Sequence, residues 1–82
     1  MDKNQIIKEI KELIGQVATV SVSEVSVNDN FEGDLNIDGV EKAKILNTLS
    51  SKYETEFVNV DAHDINTVQE LIDIVTDNLG IL

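Results

Sequence analysis

The residues most able to do chemistry lie together in Asp34-Leu35-Asn36-Ile37-Asp38-Gly39-Val40. Asp34, Asn36 and Asp38 place oxygen donors at alternate positions, and Gly39 follows where a sharp turn is needed. That is the opening half of a calcium-binding loop. The closing half is missing. The twelfth position counted from Asp34 is Ile45, where a bidentate carboxylate is required, and Glu41 falls at the usually apolar eighth. A small acidic calcium-binding module using Asp34, Asn36 and Asp38 is therefore the alternative reading, and no dedicated metal site is expected. Outside this stretch, His63 is the only histidine and is expected to be exposed or to cap a turn. Asp61 and Asp64 read as solvated acids. Paired-carboxylate catalysis needs one acid held in an apolar setting, and no such pair is visible. No catalytic residue is assigned, and the chain is not expected to be an enzyme.

The elements that position this stretch follow from apolar spacing. Ile6, Ile10, Leu13 and Val17 form one helical stripe, flanked by Ile7 and Ile14, so a first helix is expected from about Lys3 to Val17. From Thr19 to Ile37 the alternation of Val20, Val22, Val25 and Val27 slips phase at Ser23-Glu24, so no strand can keep one face buried. A long loop is expected there, with its valines and Phe31 pinned onto the helices. A second helix begins at Asp38, which caps it with Glu41 three residues later. Its expected buried stripe is Val40, Ala43, Leu46, Leu49 and Tyr53, with Ile45 alongside. Residues 54–64 are expected to be irregular apart from one short turn around Asp61–Asp64. A last helix starts near Asn66 or Thr67, carries Val68, Leu71, Ile72, Val75 and Leu79, and ends at Gly80. Phe31, Tyr53 and Phe57 are the expected aromatic anchors.

Composition narrows the class of protein. The 82 residues hold 16 Asp or Glu against 6 Lys and no Arg, for a net charge of −10. Such a chain has too little positive charge to neutralise nucleic-acid phosphates, and an anionic membrane repels it. The absence of Cys excludes thiol nucleophiles, disulfides and zinc–thiolate sites. Apolar residues at 41% suffice for one small core, so residues 1–82 are expected to form a single domain. No signal peptide or spanning run is visible, and a soluble, cytoplasmic monomer with protein partners is expected.

The order of short motifs resembles acyl carrier proteins from roughly Gln5 to Leu79. Phe31-Glu32-Gly33-Asp34-Leu35 resembles that family's Phe-x-x-Asp-Leu, and Asp38-Gly39-Val40-Glu41 lies on its Asp-Ser-Leu-Asp/Glu. Tyr53-Glu54-Thr55-Glu56-Phe57 and Ile65-Asn66-Thr67-Val68-Gln69 are similar to the runs that follow the second helix and open the last. The resemblance implies an all-α four-helix bundle with a long loop between helices 1 and 2. It also implies a 4′-phosphopantetheine arm on the motif serine, and docking onto the synthases, ligases or transferases of fatty-acid or polyketide biosynthesis. Asp38 and Val40 match the motif's Asp and Leu. Gly39 stands where the serine should be, so the chain as written has no acceptor for the arm; a divergent homologue and a serine-to-glycine variant both fit. The resemblance places partner docking on Glu41, Lys42, Lys44 and Ile45. Lys42, Lys44 and Lys52 put positive charge on a helix that is acidic in the family, so its usual partners would be penalised. Val58 replaces a common proline.

Overall fold

The structure, a computed structural model, describes residues 2–81. The Asp2 carboxylate accepts from the Gln5 N–H at 2.8 Å and so caps the first helix, α1 (Lys3–Ala18). Ile6, Ile10 and Ile14 are buried along one face of α1, as their spacing predicts. The helix stops at Thr19, which takes the left-handed conformation (φ 59°) and turns the chain back across Gly15. A Cβ on Gly15 would come within 2.8 Å of the Val20 carbonyl oxygen, so a side chain there would meet rigid backbone.

The 19–37 segment is a loop holding one single-turn 3-10 helix at Val22–Glu24. Val25, Phe31, Leu35 and Ile37 are buried in the core, whereas Val22 faces solvent. The Glu24 carboxyl lies below its usual range, chiefly because the Ser21 hydroxyl donates to it and secondarily because the Ser21 N–H does. Helix α2 (Gly39–Lys52) follows, capped by Asp38. After it, the expected short turn forms as a second 3-10 turn, Ala62–Asp64.

Helix α3 (Val68–Leu79) ends at Gly80 in the left-handed conformation (φ 70°). The first N–H groups of a helix have no partner inside it. Here the long loop supplies two of them: the Val68 N–H donates to the Asp29 carbonyl (3.1 Å) and the Gln69 N–H to the Val27 carbonyl (2.9 Å). The Thr67 hydroxyl accepts from the Glu70 N–H at 3.2 Å. In return the Phe31 N–H donates to the Asn66 carbonyl at 3.0 Å, next to an isolated antiparallel bridge between Asn30 and Thr67. The loop is thus the backbone cap of α3 as well as a connector.

The architecture is an all-α bundle, and α1 packs on both α2 and α3. Among the described residues there are three α-helices and two 3-10 turns. The expected buried stripe of α2 needs correction. Lys42, Ile45, Leu46 and Leu49 are buried, and Val40 is 65% exposed. The stripe is rotated because Val40, in the first turn, projects beyond the neighbouring elements, whereas the lysine stem is long and apolar enough to pack. Phe31 is fully buried; Tyr53 and Phe57 are half-buried against the core.

At the other end of α2 the Tyr53 hydroxyl donates to the Glu9 carboxylate on α1 at 2.6 Å. Burial first, and Glu9 second, hold that hydroxyl well above the usual tyrosine range. A raised pKa favours the protonated form in the folded state, so the contribution is complete below about pH 10, where an unfolded tyrosine ionises, and declines above it. Thermal unfolding followed from pH 8 upward should therefore show stability falling from about pH 10, and Tyr53→Phe should flatten that decline. An unchanged slope in the variant would assign the decline to other groups.

Candidate functional site

The head of α2 is built by a reciprocal cap. The Asp38 carboxylate accepts from the Glu41 N–H at 2.8 Å, and the Glu41 carboxylate accepts from the Asp38 N–H at 3.2 Å. This fixes the first turn of α2 and places Gly39 at its first position, with exposed Val40 beside it. A groove of about 580 Å³ runs along the same side of α2. Ala43, Leu46 and Asn47 form one wall, and Asn59, Val60 and His63 belong to the other.

His63 closes the near end of this groove. Its imidazole lies against Gly39: a Cβ at position 39 would fall 2.5 Å from Nδ1 and closer still to Cε1. Ordinary contact between carbon atoms begins at about 3.5 Å. Position 39 therefore has no side-chain oxygen, and the exposed His63 ring rests where a side chain there would project.

The expected docking residues separate. Lys44 is exposed, and Glu41 is half-buried and engaged in the cap. Lys42 and Ile45 are 4% and 2% exposed, which removes both from any docking surface. The Lys42 ammonium donates to the Ile65 carbonyl at 3.0 Å and pairs with Glu32 at 3.4 Å, while its stem packs beside Phe31, Ile45 and Leu71. Lys52 lies 3.9 Å from Glu9 of α1. Of the three lysines expected to invert the charge of α2, only Lys44 is both exposed and outside an ion pair among the described residues. Asp38, Glu41, Asp61 and Asp64 leave the surroundings of Gly39 acidic.

The two carboxylates of the calcium pattern are each engaged locally. The Asp34 carboxylate accepts from the Asn30 N–H at 2.7 Å, and Asp38 is committed to its cap. Asn36 lies between them in the left-handed conformation (φ 55°). No group of three or more His, Cys, Asp or Glu side chains among the described residues is arranged to hold a metal ion. The Asp61 carboxylate accepts from the His63 N–H at 2.9 Å. No described helix is long and apolar enough to cross a membrane. Sequence reasoning placed His63 at the surface but not over Gly39; no spacing rule links residues so far apart along the chain.

Comparison with known proteins matches nearly the whole chain. Residues 8–75 match the family described as "Phosphopantetheine attachment site". The chain is 27% identical over 74 residues to an acyl carrier protein of Buchnera aphidicola subsp. Schizaphis graminum, covering 90% of this chain and 94% of that one. It is 28% identical over 78 residues to an acyl carrier protein of Rubrobacter xylanophilus, covering 95% and 96%. Among solved structures, the apo doublet acyl carrier protein from prodigiosin biosynthesis superposes with a TM-score of 0.74 at 25% identity. That match covers 92% of this chain and 37% of the doublet.

Proposed function

This chain belongs to the phosphopantetheine attachment-site family, and on that premise we propose that it is a docking module of acyl-chain biosynthesis that carries no arm of its own. Gly39 carries the reading. The cap, the helix and the groove of a carrier are retained around a position that has no oxygen nucleophile. Transfer of a phosphopantetheinyl group needs a hydroxyl in line with the phosphorus, and positioning cannot replace a missing atom. The module catalyses nothing itself. It works in the cytoplasm, as a monomer, through contacts with a synthase, ligase or transferase.

The surface around Gly39 supports a protein partner. Val40 offers an exposed apolar tip, the groove lies beside it, and the flanking charges are mainly acidic. A partner with a basic rim around an apolar centre would complement it. Lys44 is the one cation on this face and is the residue by which partner choice departs from that of an all-acidic carrier helix.

The test is intact mass after incubation with coenzyme A and a phosphopantetheinyl transferase of broad specificity. The expected result is an unchanged mass under conditions that load an ordinary acyl carrier protein to completion. An adduct on any residue would sink the proposal.

A further inference from the structure

We infer that His63 is coupled to position 39: its imidazole rests where a side chain at 39 would project, so a serine restored there must first swing the ring out toward solvent. The inference rests on the reading of the chain as a carrier-family member without an arm, and extends it from one residue to two.

The geometry distinguishes Gly39 from a glycine that merely tolerates a tight spot. At Gly15 the obstruction is a backbone carbonyl, which can move only with the chain. At Gly39 the three nearest atoms all belong to one side chain, with Cε1 nearest, Nδ1 at 2.5 Å and Nε2 at 3.4 Å from the ideal Cβ. The ring nitrogens make no hydrogen bond among the described residues and His63 is exposed, so the ring rests against the glycine and can rotate away from it. The backbone beneath it is firmly placed. Ala62 and Ile65 are buried, the Ile65 carbonyl accepts from Lys42, and the Asp61 carboxylate holds the His63 N–H. The turn cannot retreat, so room for a side chain at 39 comes only from rotation of the imidazole. Glycine at 39 and histidine at 63 are therefore a matched pair. A hydroxymethyl group on α2 and the ring in its observed place exclude one another.

The test is a double-variant cycle with two readouts. Gly39→Ala is made in the wild-type and His63→Ala backgrounds, and the unfolding midpoint is measured. Alanine suits a helix better than glycine, so it should raise the midpoint when position 63 is Ala. With His63 present the gain should be smaller, a difference between backgrounds of up to about 4 °C. Equal shifts in the two backgrounds overturn the inference. The second readout is loading by the transferase: Gly39→Ser/His63→Ala should acquire the arm about threefold faster than Gly39→Ser. Equal measurable rates overturn it as well. If neither serine variant is loaded, the midpoint cycle alone decides. His63→Ala alone supplies no hydroxyl and serves as the unloaded control. An adduct on the wild-type chain would remove the armless reading while leaving the coupling between 39 and 63 to stand or fall on its own.

Discussion

Replacing Phe31 by Ala should lower the free energy of unfolding by about 3–5 kcal/mol, a large share of what a small domain possesses. Phe31 is 1% exposed and is among the largest side chains in the core. Its removal deletes buried area and leaves a void that the surrounding helices can only partly fill. The residue also anchors the loop, because its N–H bonds Asn66 and its carbonyl accepts from the Ile37 N–H at 2.8 Å. Loss of the ring should therefore loosen the strand of loop that leads into Asp38. Urea unfolding followed by circular dichroism checks the magnitude, with Phe31→Leu expected to lose about 1–1.5 kcal/mol. A loss below about 1 kcal/mol for Phe31→Ala would mean that the loop is not held by this side chain.

Lys42→Ala is the second large effect, at about 2–4 kcal/mol. Two losses combine. The stem no longer packs between α2 and the Ile65 segment, and the Ile65 carbonyl is left buried without a donor. Lys42→Met separates them, since it keeps most of the stem and loses only the donor, and about 1–2 kcal/mol is expected. The ion pair itself contributes little. Glu32 is largely exposed, with 70% of its side chain accessible, so Glu32→Gln should change the midpoint hardly at all. Chemical denaturation of the three variants checks this order. A neutral Lys42→Ala would show that the lysine is held passively.

Much of this fold is legible in the residues themselves. The apolar spacing of α1 and α3 marks both helices almost to their ends, because each has one wide stripe, and Gly80 adds a plain stop signal to α3, whereas the left-handed Thr19 that ends α1 carries none. The Asp38–Glu41 cap is readable for the same reason: it is local, and its chemistry depends on side chains three residues apart. The buried face of α2 is not readable from charge classes, since Lys42 behaves as an apolar stem with a polar tip that finds a carbonyl. Counting that lysine as surface makes the docking face of α2 read as partly inverted in sign, and the burial of Lys42 removes one of the three charges behind that reading. The loop's phase slip correctly argues against a strand. Its capping of α3 runs through backbone atoms, which leave no trace in side-chain type. The absence of a hydroxyl at position 39 is visible in one letter, whereas the ring that covers it requires the folded chain.

The backbone cap on α3 has a consequence for the order in which the molecule matures on the ribosome. Residues 27–31 leave the exit tunnel well before residues 66–69, the only groups that the carbonyls of Val27 and Asp29 and the N–H of Phe31 engage across the bundle. Until synthesis reaches α3, the loop lacks its backbone partners on that helix, and Val25, Phe31 and Ile37 are only partly covered. Docking of the loop and completion of the last helix then occur together, so the turn leading to Gly39 acquires its final shape only once α3 has been made.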